Sequence, residues 1–232
     1  MTKEQILKSF WDSILKGESR GYSDHNWYVG GSLKGWMEGT NKYPFGLLKQ
    51  PLEKTTIGDV KKFQANSKSN SYGQLWATGR YQIIPNTLLG LLKKVPLKDT
   101  DLYNKENQDK LGWELLKGRK PIIDYINGVV PDTKENLERA SLEMAKIWAS
   151  LGVPYPANGV NADQSYYGKN GVDRASVSSA IVMQKLKELR NNIQNFLAGG
   201  VDFAKKKPFL TISLAFISTI AIYNIYKYFK NK

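Results

Sequence analysis

Glu18, within Gly17-Glu18-Ser19, is the residue whose surroundings best suit moving a proton. Ahead of it, Ile6, Leu7, Phe10, Trp11, Ile14 and Leu15 recur at helical spacing and give one apolar face, and Thr2 and Gln5 have the spacing of a capping box. Gly17 stops that helix, which puts Glu18 just past an element anchored in the core. A carboxyl held between a packed helix end and aromatic surfaces can have its pKa raised, so that it stays protonated and can serve as a proton donor. An exposed glutamate after a helix's last turn is the commoner occurrence, and the residues alone leave both readings open. Asp24 is the nearest further acid; beside His25 in a polar turn, it reads as a second carboxylate or as a structural residue.

The second stretch that could do chemistry is Ala77-Thr78-Gly79-Arg80-Tyr81-Gln82-Ile83-Ile84-Pro85-Asn86-Thr87-Leu88. Gly79 permits a backbone conformation closed to other residues, and Pro85 fits the first turn of a helix running toward Lys94. Arg80, Tyr81 and Gln82 therefore fall on a junction between elements, where side chains and amides can face a ligand. The alternative is a buried junction with Tyr81 and Ile84 in the core, and physics alone divides evenly between the two.

The Gly79-Arg80-Tyr81-Gln82 stretch resembles the corresponding segment of phage peptidoglycan-cleaving enzymes of the lambda endolysin type, within the wider lysozyme and lytic transglycosylase superfamily. Three further segments fit in the same order. They are Gly17-Glu18-Ser19-Arg20-Gly21-Tyr22, Thr56 through Gln64, and Ile147-Trp148-Ala149-Ser150-Leu151-Gly152 followed by Tyr166-Tyr167-Gly168. With the chain around them, the resemblance covers roughly residues 5 to 195. The resemblance implies an α+β, mainly α, two-lobed lysozyme-like domain with a small Gly-rich loop and hairpin lobe. It also implies cleavage of the bond between N-acetylmuramic acid and N-acetylglucosamine in peptidoglycan.

In such enzymes the muramic acid 6-hydroxyl attacks internally and leaves a 1,6-anhydro product without water, so Glu18 would act first as acid and then as base. Tyr81 and Gln82 would line the site, with Tyr167 or Tyr166 as the tyrosine that follows the Trp-Ala-Ser segment; Tyr167 is favoured because it directly precedes the glycine. Tyr22 and Trp36 are further substrate-binding candidates, and Arg80 reads alternatively as an ion-pair residue. Lysozymes of the phage T4 type place an Asp nine positions after the Glu, where this chain has Trp27, so that pattern fails. A hydrolase would need a second carboxylate, either Asp24 or an acid in the 30s such as Glu38. The reading from another class is a non-catalytic virion structural or wall-binding protein that keeps the fold.

The composition sets the limits of these readings. There is no Cys and a single His, which excludes disulfides, thiolate metal sites and His-rich zinc sites; neither a metal nor an organic cofactor is implied. Six Trp and thirteen Tyr suit sugar-ring stacking. The net charge of +13 attracts polyanions, anionic lipid or acidic cell wall, but the basic residues are scattered and no nucleic-acid-binding motif occurs.

Between Gly21 and Trp76 the chain is rich in Gly, Asn, Ser and aromatics and reads as loops and short hairpins around one short helix, Thr56 to Gln64. Helices are expected over 104–117 and 120–127, then from a capping box at Asp132-Thr133-Lys134-Glu135 through Trp148 to Leu151, and finally over 181–197. No uninterrupted apolar run opens the chain, so no N-terminal signal peptide is expected. Gly199-Gly200 reads as a hinge. The Pro208–Tyr226 segment then has 19 residues without a charge and has lysines on both sides. A helix of that length rises about 28 Å, near the hydrocarbon thickness of a bilayer. The expected organisation is a peptidoglycan-cleaving domain over 1–198, a basic linker over 199–207 and a transmembrane helix over 208–229. The expected partners are peptidoglycan, a lipid bilayer and other virion proteins, and the expected location is a virion membrane or the host inner membrane.

Overall fold

The computed structural model describes residues 3–14, 28–30, 51–65, 75–171 and 173–206. Among these, the chain is mainly helical. Seven α-helices accompany one two-stranded antiparallel sheet: α1 (Lys3–Ile14), β1 (Tyr28–Gly30), α2 (Ile57–Ala65), β2 (Leu75–Thr78), α3 (Pro85–Leu92), α4 (Lys105–Lys117), α5 (Lys120–Ile126), α6 (Lys134–Ala145) and α7 (Ser179–Lys206). Glu18, Tyr22, Asp24, Trp36, Glu38 and the segment 208–229 lie outside the described residues. Among the described residues, no helix is long and apolar enough to cross a membrane.

Helix starts follow local chemistry. The Thr56 hydroxyl accepts from the Asp59 amide at 3.1 Å and donates to the Asp59 carboxylate at 2.8 Å, which ties down the first turn of α2. Asn104 caps α4 by accepting from the Asn107 amide at 3.0 Å. At α6 the cap is Thr133, whose hydroxyl accepts from the Asn136 amide at 3.3 Å, rather than Asp132. Asp132 instead accepts from the Tyr125 hydroxyl at 2.6 Å, which joins the α6 approach to α5. Helix α6 ends at Ala145, short of the expected Leu151, because the chain turns at Lys146 and aims Trp148 into the core.

Helices α1, α5 and α6 all pack on α7, while α2 packs on α3 and β2, and α4 reaches both groups through α3 and α5. One continuous core runs through them. Ile6, Phe10, Trp11 and Ile14 from α1 join Tyr81, Leu111, Tyr125, Met144, Trp148, Val182, Leu186 and Ile193. Helix α7 does not break at Gly199-Gly200, read above as a hinge, but continues to Lys206. Two glycines in a helix interior cost about 1 kcal/mol each against alanine, a modest penalty beside the good helix formers on either side.

The Gly152–Gly171 segment, irregular in sequence, is pinned by backbone bonds. Asp163 N–H donates to Val153 O at 2.8 Å, and Val153 N–H donates to Gln164 O at 2.9 Å. A Cβ on Gly152 would meet the Asp163 backbone at 2.9 Å, so the two strands of this loop approach as only glycine allows.

Candidate functional site

The Gly79–Gln82 stretch is a tight turn closing a two-residue ladder. Thr78 and Ile83 exchange N–H to O bonds at 3.1 and 3.0 Å. Gly79 has φ +71, and a Cβ there would sit 2.2 Å from Gln108 Oε1, so both backbone and space demand glycine. Gln108 serves the turn from α4: its Oε1 accepts from the Arg80 amide at 3.1 Å and its Nε2 donates to Tyr103 O at 2.7 Å. Gln64, at the end of α2, fastens the other side, with Nε2 donating to Trp76 O at 2.8 Å and Ile83 O at 2.9 Å.

Within this frame the three candidates part company. Arg80 is buried and its guanidinium pairs with Asp12 of α1, the ion-pair alternative. Tyr81 is 1% exposed and has no face open to a ligand, so the expectation that it lines a substrate site is corrected. Its ring packs edge-on against Trp11 with centroids 5.1 Å apart, its hydroxyl donates to Asp109 at 2.8 Å, and its carbonyl accepts from Trp148 Nε1 at 3.0 Å. Burial and the neighbouring Asp109 push the Tyr81 hydroxyl far above the ordinary phenol range, so it remains a donor. Gln82 alone stays partly open to solvent, in a left-handed conformation with φ +47. Its Nε2 bonds back to Gly79 O at 2.7 Å.

Tyr166 and Tyr167 stand edge to face with centroids 5.3 Å apart, on the loop before α7. Tyr167 is the more exposed, and its hydroxyl donates to Lys146 O at 2.7 Å. Burial of its ring raises the Tyr167 pKa, against the opposing pull of Arg119. Lys146 holds its ammonium 5.8 Å from the Tyr166 ring centre and pairs with Glu143 at 2.6 Å, which Arg119 also contacts at 3.0 Å. The turn after α6 thus receives both candidate segments: Tyr167 bonds to Lys146, and two residues on Trp148 bonds to Tyr81.

The electrostatics of four described carboxylates, Asp12, Glu143, Asp163 and Glu188, run against their serving as a general acid. Burial works to raise Glu143, but the hydrogen bonds and charges of Lys146 and Arg119 outweigh it and hold the carboxyl below its ordinary value. Asp12 behaves likewise, burial being outweighed by Lys8 and Arg80. The Ser179 hydroxyl and amide lower Asp163, and Lys185 and Gln184 lower Glu188. Each of these groups is held ionised, the opposite of what protonating a leaving oxygen needs. Among the described residues, no group of three or more His, Cys, Asp or Glu is placed to hold a metal.

Several contributors have little sequence signature. Gln64 closes one of the segments quoted above, but its clamp on two carbonyls depends on the fold. Asp109, Gln108 and Gly112 sit unremarked in α4, and Gly112 clears the space the Tyr81 ring fills: a Cβ there would lie 2.4 Å from it. Trp76 turns its indole outward from β2, between the buried Leu75 and Ala77, as an aromatic platform that strand alternation could have exposed. No family model, curated protein or solved structure matches this chain.

Proposed function

We propose that this chain is a membrane-anchored, viral, lysozyme-like enzyme that cleaves the MurNAc–GlcNAc β-1,4 bond of peptidoglycan as a lytic transglycosylase, for cell-wall penetration or host lysis. The observation that carries the reading is the joining of the Gly79–Gln82 turn to α1. Arg80 pairs with Asp12 and Tyr81 packs on Trp11, so the turn is fixed to the helix whose chain continues into Gly17-Glu18-Ser19. Glu18 follows Ile14, the last residue of α1, by four positions, a reach of at most about 14 Å even at full extension. What is held rigid among the described residues is the turn against α1, so on this reading the turn stays within reach of the chain that follows α1, as an acid and its substrate-positioning turn require.

Glu18 in its acid form protonates the glycosidic oxygen, the bond to muramic C1 breaks, and the 6-hydroxyl closes on C1 as the Glu18 carboxylate takes its proton. Gln82 is the residue of the turn left to hydrogen-bond the sugar, and the exposed faces of Tyr167 and Trp76 offer apolar surfaces to pyranose rings. No second carboxylate is needed in this scheme. The pKa values of Asp12, Glu143, Asp163 and Glu188 are lowered, so these four carboxyls are not the acid this scheme needs.

The test is mass spectrometry of purified peptidoglycan digested by the full chain in detergent, with Glu18→Gln beside it. Products ending in 1,6-anhydromuramic acid, absent with the variant, are expected. Reducing-end muramic acid would make the enzyme a hydrolase, with Asp24 the first partner to examine. Wall binding without any soluble product would make the chain a non-catalytic wall-binding protein.

A further inference from the structure

The buried stripe of α7 outlasts the body it packs against. Val182, Leu186, Leu189 and Ile193 are buried at helical spacing against α1, α5 and α6. The next positions of the same stripe are Phe196 and Leu197, and they are 48% and 52% exposed. Beside them, the α5–α6 connection brings Val129, 68% exposed, onto the same end of the molecule. Its neighbour Gly128 approaches α7 so closely that a Cβ would lie 2.8 Å from Gln194 Nε2, one helical turn before Leu197. Three apolar side chains thus stand open where the body ends and α7 overhangs it.

We propose that this patch is a membrane-docking face, seated in the headgroup region of the bilayer that the 208–226 segment enters. The inference rests on the reading of that segment as a membrane span. Lys206, the last residue of α7, lies nine positions beyond Leu197, about 14 Å along the helix. Three lysines at 205–207 and then 19 uncharged residues follow directly. If α7 stood upright, Leu197 would lie beyond the headgroup layer, which is roughly 5–8 Å deep on each side. Docking therefore requires that α7 lie tilted against the surface, so that its open stripe meets the interface. Phe196 and Leu197 give α7 an open apolar stripe, and the lysines at 205–207, where the helix ends, attract anionic headgroups.

A second copy of the chain fits the patch less well. Stable protein interfaces bury about 800 Å² on each partner. Phe196, Leu197 and Val129 alone fall short of that, and two apolar residues do not make the several heptads a coiled-coil seam needs. A bilayer sets no such minimum, because the tail already holds the body at the surface.

The absence of cysteine makes the test direct. Full chains carrying one cysteine each, Val129→Cys, Leu197→Cys, Leu89→Cys or Ile217→Cys, are labelled with an environment-sensitive fluorophore. They are reconstituted in vesicles of phosphatidylethanolamine and phosphatidylglycerol. These contain lipid spin-labelled in the headgroup region for the labels at 129, 197 and 89, and lipid spin-labelled deep in the acyl chain for the label at 217, which falls at the middle of the span. Leu89 is an exposed leucine on α3, which packs on α2 and α4, and serves as the control. Quenching at 129 and 197 at least about two-fold above that at 89, removed at 129 by Phe196→Asp with Leu197→Asp while Ile217→Cys stays quenched, is expected. Quenching at 217 with none at 129 or 197 overturns the docking face and leaves the anchor standing. No quenching at any position overturns both. Label-to-label energy transfer at 197 in place of lipid quenching assigns the patch to a second copy instead.

Discussion

The indole of Trp148 donates its one hydrogen bond to the carbonyl of Tyr81 at 3.0 Å, across 67 positions of sequence. That bond joins the turn after α6 to the Gly79–Gln82 turn, and Trp11 of α1 packs edge-on against both rings, 5.6 Å from Trp148 and 5.1 Å from Tyr81. The three aromatics fix the distance between the two candidate segments and α1. Trp148→Phe keeps most of the packing and strips the donor, leaving a buried carbonyl without its partner. It is expected to lower the unfolding free energy by about 1–3 kcal/mol, read as a shift of the urea midpoint.

Two glycines separate packing from helix propensity. At Gly112 a Cβ would overlap the Tyr81 ring at 2.4 Å, whereas at Gly90 on α3 nothing lies within 4 Å. Gly112→Ala is expected to cost about 1–3 kcal/mol by overpacking and to displace Tyr81 from its Asp109 bond. Gly90→Ala is expected to stabilise by about 0.4–1 kcal/mol through the unfolded chain. Thermal unfolding of the two proteins side by side checks both signs.

How far the sequence revealed this arrangement follows from which interactions are local. The helices starting at Thr56 and Asn104 and the apolar spacing of α1 depend on neighbours a few residues away, and were legible as patterns; that Asn104 caps its own helix was not. The cap of α6 was misplaced by one residue because Asp132 is claimed by Tyr125, a contact that exists only once α5 and α6 pack. Tyr81 shows the limit more sharply. An aromatic in a polar junction reads equally as ligand or core, and the choice is made by Gly112, Asp109 and Trp148, all remote in sequence. The overrun of α7 through Gly199-Gly200 was hidden because paired glycines signal a break locally, while the neighbouring helical turns decide the outcome.

Acid stability tests the Arg80–Asp12 pair. Burial tends to raise Asp12, but Lys8 and Arg80 prevail and its folded pKa is lowered. A carboxylate depressed on folding contributes its stabilisation in full above its unfolded value, about 4, and loses it as pH falls through the lower folded value. Urea midpoints should therefore fall below about pH 4, and Asp12→Asn should flatten that limb. At pH 7 the variant is expected to lose about 1–3 kcal/mol, less than a fully buried pair because the Asp12 side chain is 44% exposed while Arg80 is 2%.

Gln82 is where stability and activity should come apart. A left-handed conformation at φ +47 costs a residue with a Cβ roughly 1 kcal/mol, and its Nε2 bond to Gly79 O at 2.7 Å returns a similar amount. Gln82→Gly removes both, so the unfolding free energy, read from the urea midpoint, should change by less than about 1 kcal/mol. If the side-chain amide hydrogen-bonds the sugar, the same change should lower peptidoglycan cleavage at least about tenfold, the loss of roughly one such bond in the transition state. Gln82→Asn, which tolerates the left-handed backbone but is one methylene shorter, should fold like the parent and recover little of the rate. Equal rates for all three proteins would confine Gln82 to closing its turn, and the substrate contact would then pass to Tyr167 or Trp76. A rate that falls only in step with stability would point the same way, since a residue used for binding loses activity without unfolding the chain.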